Sequence, residues 1–373
     1  MMAPRSAEAG AIVALNAGSS SIKFGLYTAE ADPALIGKGE IEHDAAGDAE
    51  GLLEAVEKRL GGRKLAAVGH RIVHGGPDFV EPVRLTPEVI AALKALTPWA
   101  PLHQPLCLAP VEKLAAARPA LPQVACFDTA FHHDLRPPVS RYAIPLGYEK
   151  KGIRRYGFHG LSYEHIARRL GEISPQLSAR KTVVAHLGSG ASLCAMQDSR
   201  SRDTTMGFSV LEGLMMGTRP GDIDAGILLY LLKEERLSPE ALEDLLYHKS
   251  GLVGVSGISG DMRELLASKD QPAQEAIELF VFRVAREVAA MANTLEGLEL
   301  LVFTGGIGEH AAEIRARVGA RLGWLGLRID EAANAKAAER IDVAQSTVEV
   351  RIIRTDEEAV IARHTARLLA ERR

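Results

Sequence analysis

Hydrophobic residues gather in short, nearly continuous runs, with stretches of helical spacing between them. Residues 11–28 read as strand, Gly/Ser turn, strand: AIVAL, NAGSS, SIKFGLY. Ile22, Phe24 and Leu26 alternate there with Ser21, Lys23 and Gly25, the two-residue period of a half-buried strand. Residues 181–197 repeat the device as KTVVA, HLGSG, ASLCAM. Further strands are predicted at 65–69, entering a loop HRIVHGG, and at QVACFDTAF, LELLVF (298–303) and VEVRIIR (348–354). LELLVF passes through TGGIGEH (304–310) into a helix. Thr86-Pro87-Glu88 opens a helix with a capping hydroxyl and a proline in the first turn. Other helices are predicted at about 49–60, 107–117, 222–234, 239–248, 273–296 and 310–321, and from Asp356 to Arg373. The three prolines of PWAPLHQPL (98–106) predict an irregular segment.

Two Gly-rich hairpins at corresponding places, plus a Gly-rich strand-to-helix turn, predict a duplicated α/β protein holding a nucleotide between its copies. A length of 373 residues fits two domains. Aromatics at 5% and an excess of small aliphatics suit close helix-on-sheet layers. The net charge of −4 offers no positive field for nucleic acid. No apolar run reaches membrane-spanning length, and MMAPRSAEAG lacks the apolar core of a signal peptide. Cys107, Cys126 and Cys194 show no CxxC spacing and predict reduced, buried thiols. A cytoplasmic protein without a membrane partner is expected.

Gly-rich turns after strands present backbone N–H groups to anionic oxygens. Lys23 shares a strand face with Ser19 and Ser21, which adds donors and a charge. A tight hairpin whose serines satisfy only their own backbone fits the same residues. Arg71 in VGHRIVHGG and Arg219 in MGTRPGDID each sit in a glycine frame, as planar forks for carboxylate or phosphate. A lone loop arginine is otherwise a surface residue. Asp128 closes an apolar strand, where it could serve chemistry or merely cap a turn. His159 in YGFHG and His103 in APLHQP are core histidines on the plainer reading, and neither has zinc-ligand spacing. GxxxxGK[ST] does not occur.

The strings NAGSSSIKF, VGHRIVHGG, APLHQP, FDTAFH, YGFHG, HLGSGAS, TMGF, LEGLMMGTRPGDID, KSGLVGVSGIS, FTGGIGEH and DEEAVIAR together resemble the acetate and propionate kinase family, in its order, from residue 12 to about 363. The resemblance implies two RNase H-like domains of the sugar kinase, Hsp70 and actin superfamily, the actin-like ATPase fold, with the active site in the cleft. The domains would be 1–130 with 359–373, and 131–358. It further implies a homodimer, ATP/ADP and acetate/acetyl phosphate as partners, and Mg²⁺, or Mn²⁺ in its place. By the same match Asn16 and Glu357 would hold the metal, and Lys23, Ser19 and Ser21 the phosphates. His186, Leu187, Gly188, Ser189 and Gly190, with Gly306, Ile307, Gly308, Glu309 and His310, would hold the nucleotide. Asp261, Met262 and Arg263 would line the adenosine pocket. Arg71 would bind the acetate carboxylate, with Val73, Leu102 and Phe158 around the methyl group. Asp128 would be the catalytic acid, and His159 and Arg219 would stabilise the transition state.

Three positions depart from the family pattern. Ser189 replaces an asparagine and keeps a donor, Met262 replaces a phenylalanine near the adenine, and Val210 replaces a proline in the acyl pocket. The last predicts room for propionate. Chemistry also revises one implied role. A carboxylate acceptor is already ionised at neutral pH and needs no base, so Asp128 is expected to orient an arginine or a metal-bound water. On this reading Asp128→Asn acts mainly through Mg²⁺ binding. ATP-driven binding proteins share the superfamily, but Arg71 and Arg219 in their glycine frames argue for an enzyme.

Overall fold

The computed structural model describes residues 10–18, 21–42, 51, 54 and 56–371. Its described residues form two sheets. The first is ordered β3-β2-β1-β4-β6-β5 and is built from β1 Ala11–Ala17, β2 Ser21–Thr28, β3 Leu35–Glu42, β4 Leu65–Ile72, β5 Val83–Arg84 and β6 Gln123–Phe127. The second is ordered β11-β10-β7-β8-β9 and is built from β7 Thr182–Leu187, β8 Ala191–Gln197, β9 Arg200–Thr204, β10 Leu300–Thr304 and β11 Glu349–Ile352.

Setting aside β5, the two sheets share one plan. Each begins with a three-stranded antiparallel meander, and its first strand then pairs in parallel with a strand that pairs in parallel with the last. This is a duplicated RNase H-like α/β fold. The chain divides into two compact units. One takes in the described residues of Met1–His133, Gly160–His165 and Asp356–Arg373, and the other Asp134–His159 and Ile166–Thr355.

In the first unit β1 is buried on both faces, which is why AIVAL is apolar throughout. Its odd-numbered residues, Ala11, Val13 and Leu15, pack with Phe24, Leu26, Val68 and Leu114. Its even-numbered residues, Ile12 and Ala14, pack with Val124, Leu161, Val360 and Ile361. The terminal helix Glu357–Ala370 lies so close to β4 that a Cβ on Gly69 would stand 2.2 Å from Thr365 Oγ1. In the second unit the helix Gln271–Thr294 buries one stripe, including Ile277, Phe280, Val284 and Val288, over β7, β8 and β9.

Some boundaries differ from the sequence reading. β4 continues through Ile72, because Arg71 and Ile72 pair with Cys126 and Phe127, so Arg71 belongs to a strand rather than a loop. QVACFDTAF stops as a strand at Phe127, and Ala130–His132 forms a 3₁₀ turn. The helix expected at 107–117 starts at Gln104, since prolines are tolerated in a first turn, and Thr97–Trp99 adds a 3₁₀ turn to the proline-rich segment. TGGIGEH is itself a short helix, Gly305–His310, followed by Ala312–Arg321. The helix predicted at about 49–60 lies partly outside the described residues.

Candidate active site

In the first unit the ends of β1, β4 and β6 and the start of the terminal helix carry a polar network. Register places Asn16 across from Lys23 in the β1–β2 hairpin, and Lys23 is exposed. Ser21 opens β2, and Ser19 lies outside the described residues. Arg71 Nε lies 3.0 Å from both carboxylate oxygens of Asp128, and Nη2 donates to Oδ2 at 2.5 Å. Asp128 is 1% exposed. Burial works against the Arg71 charge, yet the neighbouring Asp128 carboxylate outweighs it and raises the guanidinium above its ordinary pKa. Arg71 Nη1 reaches Asn16 Oδ1 at 3.4 Å, and Asn16 Nδ2 donates to Glu357 Oε2 at 2.8 Å and Glu358 Oε1 at 3.2 Å.

The terminal helix holds those glutamates in its first turn, where the N-terminal dipole favours negative charge. Asp356 caps that helix through Ala359 N at 3.0 Å and pairs with Lys38 Nζ at 2.9 Å. Burial pushes the Glu357 carboxyl up to about 7. Asp128 and Glu358 add to the rise, while Arg71 and Asn16 oppose it. Val73 is buried just beyond β4, and Leu102 is half-buried ahead of the helix Gln104–Ala117. Among the described residues no group of three or more His, Cys, Asp or Glu side chains is placed to cage a metal.

The second unit gathers glycine turns. Gly188 closes its turn by donating to Gly190 O at 3.0 Å, and a Cβ on it would come 3.9 Å from Gly306 N. Gly305 takes φ +77°, and a Cβ there would meet Leu187 O at 2.7 Å. Gly217 N donates to Ser189 O at 3.0 Å, and a Cβ on Gly217 would approach Gly260 O at 3.1 Å. The approaches at Gly305 and Gly217 are too close for a side chain, so these turns come together as one glycine-lined cradle.

Arg219 and His159 border this cradle. A Cβ on Gly190 would stand 2.9 Å from Arg219 Nη2 and 3.3 Å from His159 Nε2. Arg219 Nη1 donates to Val210 O at 2.8 Å. His159 adopts a left-handed φ of 58°, a strained setting for a side chain other than glycine, of the kind that clusters at functional sites. Its Nδ1 pairs with Ser192 Oγ at 2.8 Å, and its ring stacks on His186 with centroids 4.3 Å apart. Phe158 beside it is buried.

Other residues singled out from the sequence hold the cradle's frame. Glu309 Oε1 accepts from Gly305 N at 3.0 Å and Thr355 N at 3.1 Å, fixing the turn that leads to Gly306, Ile307 and Gly308. His310 ends that helix with an exposed ring. Asp261 caps the helix Met262–Ala267 by accepting from Arg263 N at 2.8 Å and clasps the exposed Arg263 side chain, while Met262 is buried. Glu358, Ser192 and the Val210 carbonyl were not singled out by their sequence positions. Their signals are faint: a second glutamate in DEEAV, a serine two residues past GSG, and a main-chain atom that any residue supplies.

The acetokinase family model matches residues 49–363. An acetate kinase from Rhodopseudomonas palustris is 50% identical over 389 aligned positions, covering 96% of this chain and 98% of that protein. One from Nitrobacter hamburgensis is 45% identical over 97% of this chain and 96% of its own. Among solved structures, a propionate kinase from Francisella tularensis matches with a TM-score of 0.85 at 36% identity, over 95% of this chain and 98% of that one. A Porphyromonas gingivalis acetate kinase matches with a TM-score of 0.83 at 33% identity, over 97% of this chain and 100% of that one. The chain belongs to the acetokinase family.

Proposed function

We propose that this protein reversibly transfers the γ-phosphoryl group of ATP to acetate, giving acetyl phosphate and ADP. The observation that carries this reading is the second unit's cradle, where the Gly190 backbone, Arg219 and His159 come together. Phosphoryl transfer has a loose transition state with charge spread over the equatorial oxygens, so positioned donors are the main catalytic resource. Arg219 and His159 are such donors, and each contributes roughly 3–4 kcal/mol, the magnitude of one oxyanion-hole donor.

The acceptor carboxylate is ionised at neutral pH and attacks directly. A bond forms between its oxygen and the γ-phosphorus, the bond to the β–γ bridging oxygen breaks, and ADP leaves with the electron pair. No proton changes hands. Arg71 binds the carboxylate, Asp128 fixes the fork of Arg71, and Val73, Leu102 and Phe158 surround the acyl chain. His186 to Gly190 and Gly306 to His310 hold the nucleotide, Lys23 binds the phosphates with Ser19 and Ser21, and Asp261, Met262 and Arg263 lie at the adenosine.

Asn16 and Glu357 fit Mg²⁺, or Mn²⁺ in its place. Mg²⁺ favours one or two protein oxygens, with water and phosphate completing its shell. A divalent charge would also relieve the Glu357 carboxyl, which burial raises to about 7. When bound, the metal neutralises charge on the transferring phosphates. The domains are proposed as 1–130 with 359–373 and 131–358. Three buried free thiols support a cytoplasmic setting, and no described helix is long and apolar enough to cross a membrane. The homodimer is proposed on the helix Ala225–Lys233, which leaves Ile227, Leu229 and Tyr230 exposed. The reverse reaction tests the function: ADP with acetyl phosphate should yield ATP, and a protein inert with both would refute it.

A further inference from the structure

We propose that Glu212 is a positioning residue for Arg219, acting through the loop Gly207–Gly213. The proposal rests on the phosphoryl-transfer reading and deepens it. Arg219 Nη1 donates to Val210 O, a main-chain atom of this loop, at 2.8 Å. Where Val210 stands therefore bears on where the guanidinium points.

The loop is held from both ends. At its start, the Tyr142 hydroxyl accepts from Phe208 N at 2.7 Å and donates to Glu212 Oε2. Near its finish, Arg155 Nη2 donates to Glu212 Oε1 at 2.6 Å. Arg155 is itself anchored, with Nη1 donating to Thr204 O at 3.0 Å and Nε to Val139 O at 3.3 Å. Gly213 closes the loop with a left-handed φ of +100° and donates to Asp222 Oδ1 at 2.7 Å.

Glu212 thus ties the loop's two halves together from within. A Cβ on Gly207 would stand 1.6 Å from Glu212 Oε2 and 2.0 Å from the Tyr142 hydroxyl, so the carboxylate fills the loop's interior. Gly207 O also accepts from Tyr156 N at 3.0 Å and Gly157 N at 3.2 Å, so the same loop braces the segment leading to His159. Charge-assisted bonds to one carboxylate are stronger than neutral ones, so an amide in its place lets the loop drift. Small displacements of a transition-state donor cost rate rather than binding.

The experiment is steady-state kinetics on Glu212→Gln and Tyr142→Phe, alone and combined with Arg219→Ala. For Glu212→Gln, kcat should fall roughly 10- to 100-fold, as for partners that orient ligating side chains. KM for ATP and for acetate should stay within about 3-fold, the pattern of an interaction made in the transition state. In the Arg219→Ala background the same substitution should cost less than about 2-fold, because coupled residues are not additive. Tyr142→Phe removes a single hydroxyl and keeps the test open if Glu212→Gln does not fold. Additive losses, or a wild-type kcat in Glu212→Gln, would overturn the positioning role alone. A wild-type protein that makes no acyl phosphate from either acetate or propionate would overturn the functional reading, and this proposal with it.

Discussion

Asp128 grips Arg71 with both carboxylate oxygens, each 3.0 Å from Nε, and closes the pair through Nη2 at 2.5 Å. An acid engaged in this way fixes a planar fork rather than shuttling a proton. Asp128→Asn should therefore raise KM for acetate and lower kcat/KM roughly 100-fold, the cost of a misplaced positioning group. The half-saturating Mg²⁺ concentration should move by less than about 3-fold. The sequence reading expects the substitution to act mainly through Mg²⁺ binding, whereas the clasp on Arg71 favours an effect on acetate. Metal titrations beside acetate titrations decide the matter, and lost metal affinity with an unchanged acetate KM would go against it.

Gly190 is the point where backbone meets both proposed transition-state donors. A methyl group there would press on Arg219 Nη2 and displace the guanidinium, whose Nη1 is bonded to Val210 O. Gly190→Ala should lower kcat by roughly 10- to 100-fold, since about 1 Å of displacement costs on that order. Its melting temperature should stay near that of the wild type, because the turn faces the cradle rather than the core. A variant that melts early and keeps its kcat would contradict the assignment.

His70 gives a pH signature. It is 1% exposed on β4, and its Nε2 meets Gln123 Oε1 at 2.8 Å. Gln123 donates its amide to Val111 O, so the histidine carries the proton on Nε2. Burial lowers its pKa to about 4, against an opposing contribution from the Gln123 bond. The folded protein then binds fewer protons than the unfolded chain. Its stability is complete above the ordinary histidine range and is lost as pH falls towards 4. Between about pH 6.5 and 5 the loss should approach roughly 2 kcal/mol, from about 1.4 kcal/mol per unit for one proton. Urea unfolding at several pH values measures it. His70→Asn should flatten the slope, and an unflattened slope would place the effect elsewhere.

Val210 predicts chain-length tolerance. It is buried, and the resemblance implies a proline at this position in the family pattern. Propionate should be used with a kcat/KM within roughly 10-fold of acetate, since one methylene is worth about 1–3 kcal/mol of discrimination. A series of acetate, propionate and butyrate checks this, and a preference for acetate far above 100-fold would refute it.

What could be read in the sequence was local. The turns after Asn16 and His186 announce themselves because glycine and serine follow apolar runs, and the two sheets, β5 aside, share one strand order. What escaped was long-range or polar. β9 reads RSRDT and carries no apolar run, yet it pairs with β8. The helix Gly160–Ile173 hides behind the charged string YEHIARR. Arg71 lies in a strand and not in the expected loop, because its strand partner is 55 residues on, at Cys126. The bond from Asn16 to Glu357 spans 341 residues, and no pattern within either segment reveals it. Glu309 matched a nucleotide-binding string, while its Oε1 is engaged by two backbone amides of the frame.

The central claim, phosphoryl transfer from ATP to a small carboxylate, is tested most directly by trapping the product. Purified protein is incubated with ATP, Mg²⁺, acetate and hydroxylamine, and acetyl hydroxamate and ADP are measured together. The account predicts hydroxamate in step with ADP, dependent on both ATP and acetate, and lost in Arg219→Ala. ADP released without hydroxamate, or at a rate indifferent to acetate, would contradict it.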